Sequence, residues 1–416
     1  MQFSWLIVLI GSLFIIPAVV QGATASTSSS PGFLLAAIAV VCLILVFTRA
    51  KLIKLPHTNL LIKAILLLGF FTQIIRLILA EPSTMDLGKI FYSFPLILAL
   101  FLSAQALATL VVKSSHKVDF ANLSTAYVSI FILLGIFSFF AIRIPSLFSG
   151  SKQVVFFSEP SHYVMALTPL LITSLCVSRS PKVINIIQIT FLIVLSFLLE
   201  SVTLAAAILF SLLVCFVMYY NTPAAGISYK RVASLICIGI IGSLIGIFIS
   251  RNNYFMARLN FVNINITDSS SISSNISLLM GYEEAYLNLL RSSFTGLGFQ
   301  QMGILEPSGN FANAIASTYG EYINRFDGSI LASKIISEFG FAGILLIATY
   351  LLFCFKIILA SGSKNLSQMQ RFSIGLIVSL VPYLFFRGGG YFSGSVVISL
   401  AGFFALWSAD YRNIFS

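Results

Sequence analysis

Apolar runs of about 20 residues recur along this chain, and each is long enough to cross a hydrocarbon core roughly 30 Å thick. They fall at 4–20, 32–48, 59–80, 90–112, 123–142, 162–178, 183–199, 202–220, 232–250, 335–359, 372–386 and 392–408. In lipid every backbone amide and carbonyl must find its partner inside the protein, so a spanning segment is either a helix or part of a closed barrel. A barrel would show segments of about ten residues with alternating polarity, and these runs do not alternate. Only 9% of the residues are charged, against 58% hydrophobic, too few to coat a water-soluble globule. The fold class expected is an all-α polytopic membrane protein with about twelve transmembrane helices.

Sidedness follows from the cations. Arg49/Lys51/Lys54, Lys113/Lys117, Arg179/Lys182, Lys230/Arg231 and Lys364/Arg371 occupy alternate loops. The positive-inside rule makes those loops cytoplasmic, and with them both termini. The net charge of +11 is scattered singly between apolar runs with no basic block, which excludes a nucleic-acid partner. The five cysteines all lie within apolar runs without metal-ligand spacing, so they read as small buried hydrophobes. The first 26 residues end in small residues as a signal peptide does, but a basic leader is missing, and an uncleaved first span is expected.

The connections divide the chain. Residues 1–250 carry nine spans, 251–330 form one large external loop with short helices, and 331–416 carry the last three spans. A loop of this length calls for a role, and the ionisable residues gather on its side. FSEPSHY (157–163) places Glu159 and His162 at the mouth of the sixth span. Pro160 suits the first turn of a helix, so Glu159 is either a residue complementing the helix N-terminus or a general base facing a cavity. Arg251, Arg258, Arg291, Arg325 and Arg387 are external as well. Arginine presents a planar fork of donors that suits phosphate oxygens. Arg387, in FFRGGGY between the last two spans, stands beside glycines that allow backbone to approach a ligand; the alternative is a snorkelling interfacial arginine. Asp327 precedes a helix entering the tenth span and is either its N-cap or a base. TGLGF (295–299) reads as a tight, amide-rich turn, and Gly340 and Gly343 permit close helix packing.

Taken together, FSEPSHY, RSSFTGLGF, DGSILASKIISEFGFAGILL and FFRGGGYFSG, with a long late external loop, resemble the O-antigen polymerases (Wzy type) of the polymerase/ligase superfamily. The ligases carry a histidine in the late loop, whereas this chain has none between 251 and 330, which favours a polymerase. The resemblance implies a glycosyltransferase of the Gram-negative inner membrane that works on the periplasmic face. It would join undecaprenyl-pyrophosphate-linked oligosaccharide repeat units into a surface polysaccharide, alongside a chain-length regulator and a flippase. Glu159, His162 and Asp327 would supply the catalytic groups, and Arg251, Arg258, Arg291, Arg325 and Arg387 would hold pyrophosphate or glycan. Neither a metal nor another cofactor is expected. The alternatives are a ligase-like glycan transferase and a lipid-linked oligosaccharide flippase. A transporter would carry ionisable or broken spans near the midplane, whereas here the ionisable residues collect at the outer mouth.

Overall fold

The computed structural model of the chain describes residues 2–24, 28–48, 85–140, 153–177, 183–220, 273–363 and 366–408, with five isolated positions between 67 and 75. Most of the expected third span, the whole ninth span, Arg251 and Arg258 lie outside the described residues. Among the described residues the secondary structure is helical apart from one isolated bridge between Val154 and Phe157.

Seven helices occupy the first part of the chain: α1 (Gln2–Thr24), α2 (Ser30–Thr48), α3 (Leu87–Lys113), α4 (Phe120–Phe139), α5 (Pro160–Val177), α6 (Val183–Leu198) and α7 (Val202–Tyr220). Six more follow: α8 (Ser273–Arg291), α9 (Asn310–Tyr319), α10 (Leu331–Ser363), α11 (Gln368–Val378), α12 (Leu380–Phe385) and α13 (Gly394–Ser408). Five of them, α1, α3, α4, α5 and α10, are long and apolar enough to cross a membrane, and α2, α6, α7 and α13 are shorter apolar helices. By length and composition this is a helical membrane protein.

α5 lies at the centre. It packs against α4, α7 and α11, and 83% of its residues are buried. Its hydroxyls are satisfied locally, as a lipid-embedded helix requires: Thr168 donates to the Val164 carbonyl at 2.7 Å, Ser174 to Leu171 at 2.8 Å, and Thr173 reaches Ser124 on α4 at 3.0 Å. Close approach of α11 depends on a missing side chain. A Cβ on Gly375 would stand 2.6 Å from Thr173 Cγ2, and one on Gly402 of α13 would stand 2.7 Å from the Ser373 carbonyl oxygen. Side-chain caps close two helix starts: Asp119 accepts from the amides of Ala121 and Asn122 at the start of α4, and Ser367 and Gln370 form a reciprocal capping box on α11.

Two expected spans are not single straight helices. The run at 372–386 is divided into α11 and α12 around Ser379, because Pro382 has no N–H to donate to the carbonyl four residues earlier. The helix entering the tenth span bends at Gly340, whose φ of 58° and ψ of −134° are outside the helical region. A β-carbon there would collide with the Phe294 carbonyl, so only glycine suits this position. The bend opens the Ser337 and Glu338 carbonyls, and the amides of Leu297 and Gly298 close on them, each at 2.8 Å. Two amides of the tight TGLGF turn are thus engaged in holding α10. The segment before the bend, 331–339, buries Ser333, Lys334, Ser337 and Glu338 against α8 and the 299–303 turn.

Candidate functional site

Three turns meet at one end of α5. The first is the segment before Pro160, the second is the 386–393 connection between α12 and α13, and the third is the 324–330 turn before α10. Arg387 Nη2 lies 2.9 Å from Glu159 Oε2, which joins the first two across 228 positions of sequence. The same Glu159 oxygen accepts the Ser161 hydroxyl at 2.8 Å. The carboxylate therefore points to Arg387 and a serine, and Glu159 is half exposed while the Arg387 side chain is largely covered. Burial alone would raise the Glu159 pKa. The Arg387 charge, then His162 and the Ser161 bond, outweigh it and hold the carboxyl below its ordinary value.

Arg387 has capacity to spare. Its Nε is buried and has no hydrogen-bond partner, although a buried guanidinium N–H ordinarily finds one. His162 stands one turn into α5 with its Nδ1 2.9 Å from the Ser158 hydroxyl, and it feels the charges of Glu159, Arg387 and Asp327. The structure thus gathers Glu159, His162, Arg387 and Asp327 at the end of α5, where the Glu159 side chain is half exposed and the surface opens.

The wall behind them is a buried ionic cluster. Lys334 Nζ donates to the Phe326 carbonyl at 2.8 Å, and lies 3.7 Å from Asp327 Oδ1 and 3.8 Å from Glu338 Oε1. Glu338 is fully buried, accepting the Tyr391 hydroxyl at 2.7 Å and the Met302 amide at 3.3 Å. Burial, the neighbouring Glu338 charge and the bond to it raise the Tyr391 pKa well above its ordinary value, so the phenol remains a donor. Lys89 at the start of α3 caps the far side, 3.7 Å from the centroid of the Phe326 ring.

The three glycines of FFRGGGY serve contact between turns. The Gly388 amide donates to the Ser329 carbonyl at 3.0 Å and the Gly389 amide to the Tyr383 hydroxyl at 2.9 Å. A Cβ on Gly390 would come 3.2 Å from Asp327 Oδ1. These two amides, read from sequence as available to a ligand, fasten the Arg387 turn to the 324–330 turn and to α12.

Two expected ligand-holding arginines stand elsewhere. Arg325 donates its Nε to the Gly303 carbonyl at 2.6 Å and Nη2 to Ile304 at 3.2 Å. Arg291 reaches the Glu306 carbonyl and the Ser308 hydroxyl. Tyr282 of α8 bonds the Phe385 carbonyl beside the opening, and Arg291 is nine residues further on, about 13 Å along the helix. Both arginines tie down the 303–308 segment. Glu283 and Glu284 do the same from the other side, accepting the amides of Ser308, Gly309, Asn310 and Phe311.

Lys334, Glu338 and Tyr391 were absent from the residues selected by sequence. A signal for the first two was present: LASKIISEFG carries a Lys–Glu pair four apart at the entry to an apolar run, where unpaired charge is costly. Tyr391 gave none, since its partner is 53 positions away. No protein-family model matches this chain, and no curated protein or solved structure matches it significantly.

Proposed function

We propose that this protein is a multi-pass glycosyltransferase that polymerises oligosaccharide repeat units carried on undecaprenyl pyrophosphate. In this reading twelve helices span a bacterial inner membrane, both termini are cytoplasmic, and the opening faces the periplasm. The observation that carries it is the Arg387–Glu159 pair at the mouth of α5, with the unpartnered Arg387 Nε beside it and His162 and Asp327 around it. An exchangeable cation next to a carboxylate is what transfer from a pyrophosphate donor requires.

The chemistry runs as a swap of partners. Arg387 leaves Glu159 and takes the donor's pyrophosphate, whose negative charge grows as its bond to the anomeric carbon breaks. Glu159, released from the guanidinium, becomes more basic and accepts the proton of the acceptor sugar hydroxyl. The hydroxyl oxygen forms the new bond to the anomeric carbon, and the lipid pyrophosphate departs with the electron pair. His162 orients the acceptor, and Lys334 holds Asp327 in place at the rim. A positioned pair of this kind replaces random encounter of two lipid-anchored substrates.

The test is a strain lacking the gene, complemented with variants and read as a ladder of surface polysaccharide. Loss of the protein should leave single repeats on the lipid core. Complete loss of surface antigen would instead indicate a flippase or ligase. Reporter fusions after Ser308 should read as external and those after Lys117 as cytoplasmic; the reverse would place the opening on the wrong side for this reaction.

A further inference from the structure

α8 buries polar side chains beside the apolar Met280, Ala285 and Leu289. Glu284, Asn288 and Ser292, spaced four apart, are only 5%, 4% and 5% exposed. Tyr282, Tyr286 and Leu290, also spaced four apart, are 41%, 61% and 45% exposed, and Phe294, in the turn beyond the helix end, is 54% exposed. Series offset by two residues occupy opposite sides of a helix. The buried polar side is fully engaged: Glu284 accepts from the Ser308 and Gly309 amides, Asn288 donates to Ser337, and the Ser292 hydroxyl accepts from the Gly296 amide. A helix bathed in water hides its aromatic residues and shows its carboxylates. The opposite arrangement is favourable where the surrounding medium is apolar.

The turn that follows meets the same condition. Ser293, Phe294, Thr295, Gly296, Leu297 and Gly298 each donate their amide to a protein acceptor. Irregular backbone at membrane depth is tolerated only when its polar groups are satisfied by protein in this way. The apolar face is also continuous with a lipid-facing one. The Phe294 carbonyl accepts the Phe341 amide at 2.9 Å. From there Phe341, Leu345, Leu352 and Phe355 carry exposed apolar surface down the membrane-crossing part of α10. Exposed apolar side chains grouped in this way mark an interaction surface, and tyrosines at one end of the group are the residues expected at a headgroup boundary.

We propose that α8 is an interfacial helix whose Tyr282–Tyr286–Leu290–Phe294 face is immersed in the bilayer beside α10. Part of the segment expected from sequence to be a solvated external loop is then lipid-bound. It draws the Arg387 opening to the membrane surface, where a lipid-anchored headgroup would lie. The inference rests on the membrane-embedded fold and not on the polymerase reading.

The test uses the full chain in phosphatidylcholine vesicles, with Trp5→Phe and Trp407→Phe removing native emission. Tyr286→Trp is compared with Leu352→Trp on the lipid face of α10 and Tyr319→Trp at the end of α9. With lipids brominated near the head of the acyl chain, Tyr286→Trp should lose emission as Leu352→Trp does, and its spectrum should be blue-shifted relative to Tyr319→Trp. Undiminished emission in brominated lipid, with acrylamide quenching equal to that of Tyr319→Trp, would overturn the proposal. Leu290→Trp repeats the test should Tyr286→Trp fail to reconstitute, and the same two outcomes decide it.

Discussion

Arg387 and Arg325 stand at the two edges of the turn that leads into α10, and they are held in different ways. Arg325 gives its fork to two backbone carbonyls of the 303–304 segment. Arg387 gives one nitrogen to a half-exposed carboxylate and keeps a buried Nε unpartnered. The first arrangement is a fastening, because breaking it orphans acceptors. The second is an exchangeable contact, because a phosphate oxygen can take the place of the carboxylate. Residue type is identical in the two cases, so the partner defines the role.

That contrast can be broken by substitution. The largest effect is expected from Glu159→Gln, which preserves shape and removes the charge: a loss of about 10²–10⁴ in polymerisation rate, read as a ladder collapsed to single repeats at normal protein level. A wild-type ladder would return Glu159 to a helix-end role. Arg387→Lys keeps the charge and loses the fork, and should cost about 10²–10³ in rate with unchanged thermal stability in detergent. Equal loss of stability and rate would place Arg387 with Arg325 among the fastenings.

Lys334→Met sharpens the comparison from the wall between them. It leaves Glu338 buried with fewer partners, and should destabilise the fold by about 3–5 kcal/mol, measured by thermal or denaturant unfolding in detergent. Double substitution with Glu338→Gln should recover part of that loss. Arg325→Ala should cost about 1–3 kcal/mol through the orphaned carbonyls, with the rate per folded molecule unchanged.

The smallest effect concerns pH. The Glu159 carboxyl is held below its ordinary value, so its pairing adds stability that is complete above the unfolded pKa near ~4.3 and is lost as pH falls through the lower folded value. In a His162→Gln background, which removes the neighbouring imidazole, the stability difference between Glu159 and Glu159→Gln should therefore stay constant between pH 8 and 5. A difference that shrinks across that interval would mean that the carboxyl is not held ionised by Arg387.

Much of the helical framework was readable in advance. The sixth and eighth expected spans, 162–178 and 202–220, match α5 (Pro160–Val177) and α7 (Val202–Tyr220) to within two residues, because apolar length and a proline at the first turn are local properties. Pro382, also local, carried the information for the break near Ser379, but hydropathy outweighed it in the reading of a single span. At the site, Glu159, His162, Asp327 and Arg387 were selected as external ionisable residues, and the structure brings these four together. Arg291 and Arg325 satisfied the same criterion and are occupied elsewhere.

What the sequence by itself determined is the solvent this chain must live in and the segments that become helices, since both follow from side-chain hydrophobicity summed over neighbouring residues. What only the tertiary structure decided is which polar group meets which. Glu159 and Arg387 are 228 positions apart, and Glu338 and Tyr391 53 apart. Their meeting depends on how α5, α10 and the α12–α13 turn pack, a matter of shape that no local pattern records. The same is true of α8: its polar and apolar residues are both visible in sequence, but which of them face inward was decided by the 308–311 amides and the Ser337 hydroxyl that receive Glu283, Glu284 and Asn288.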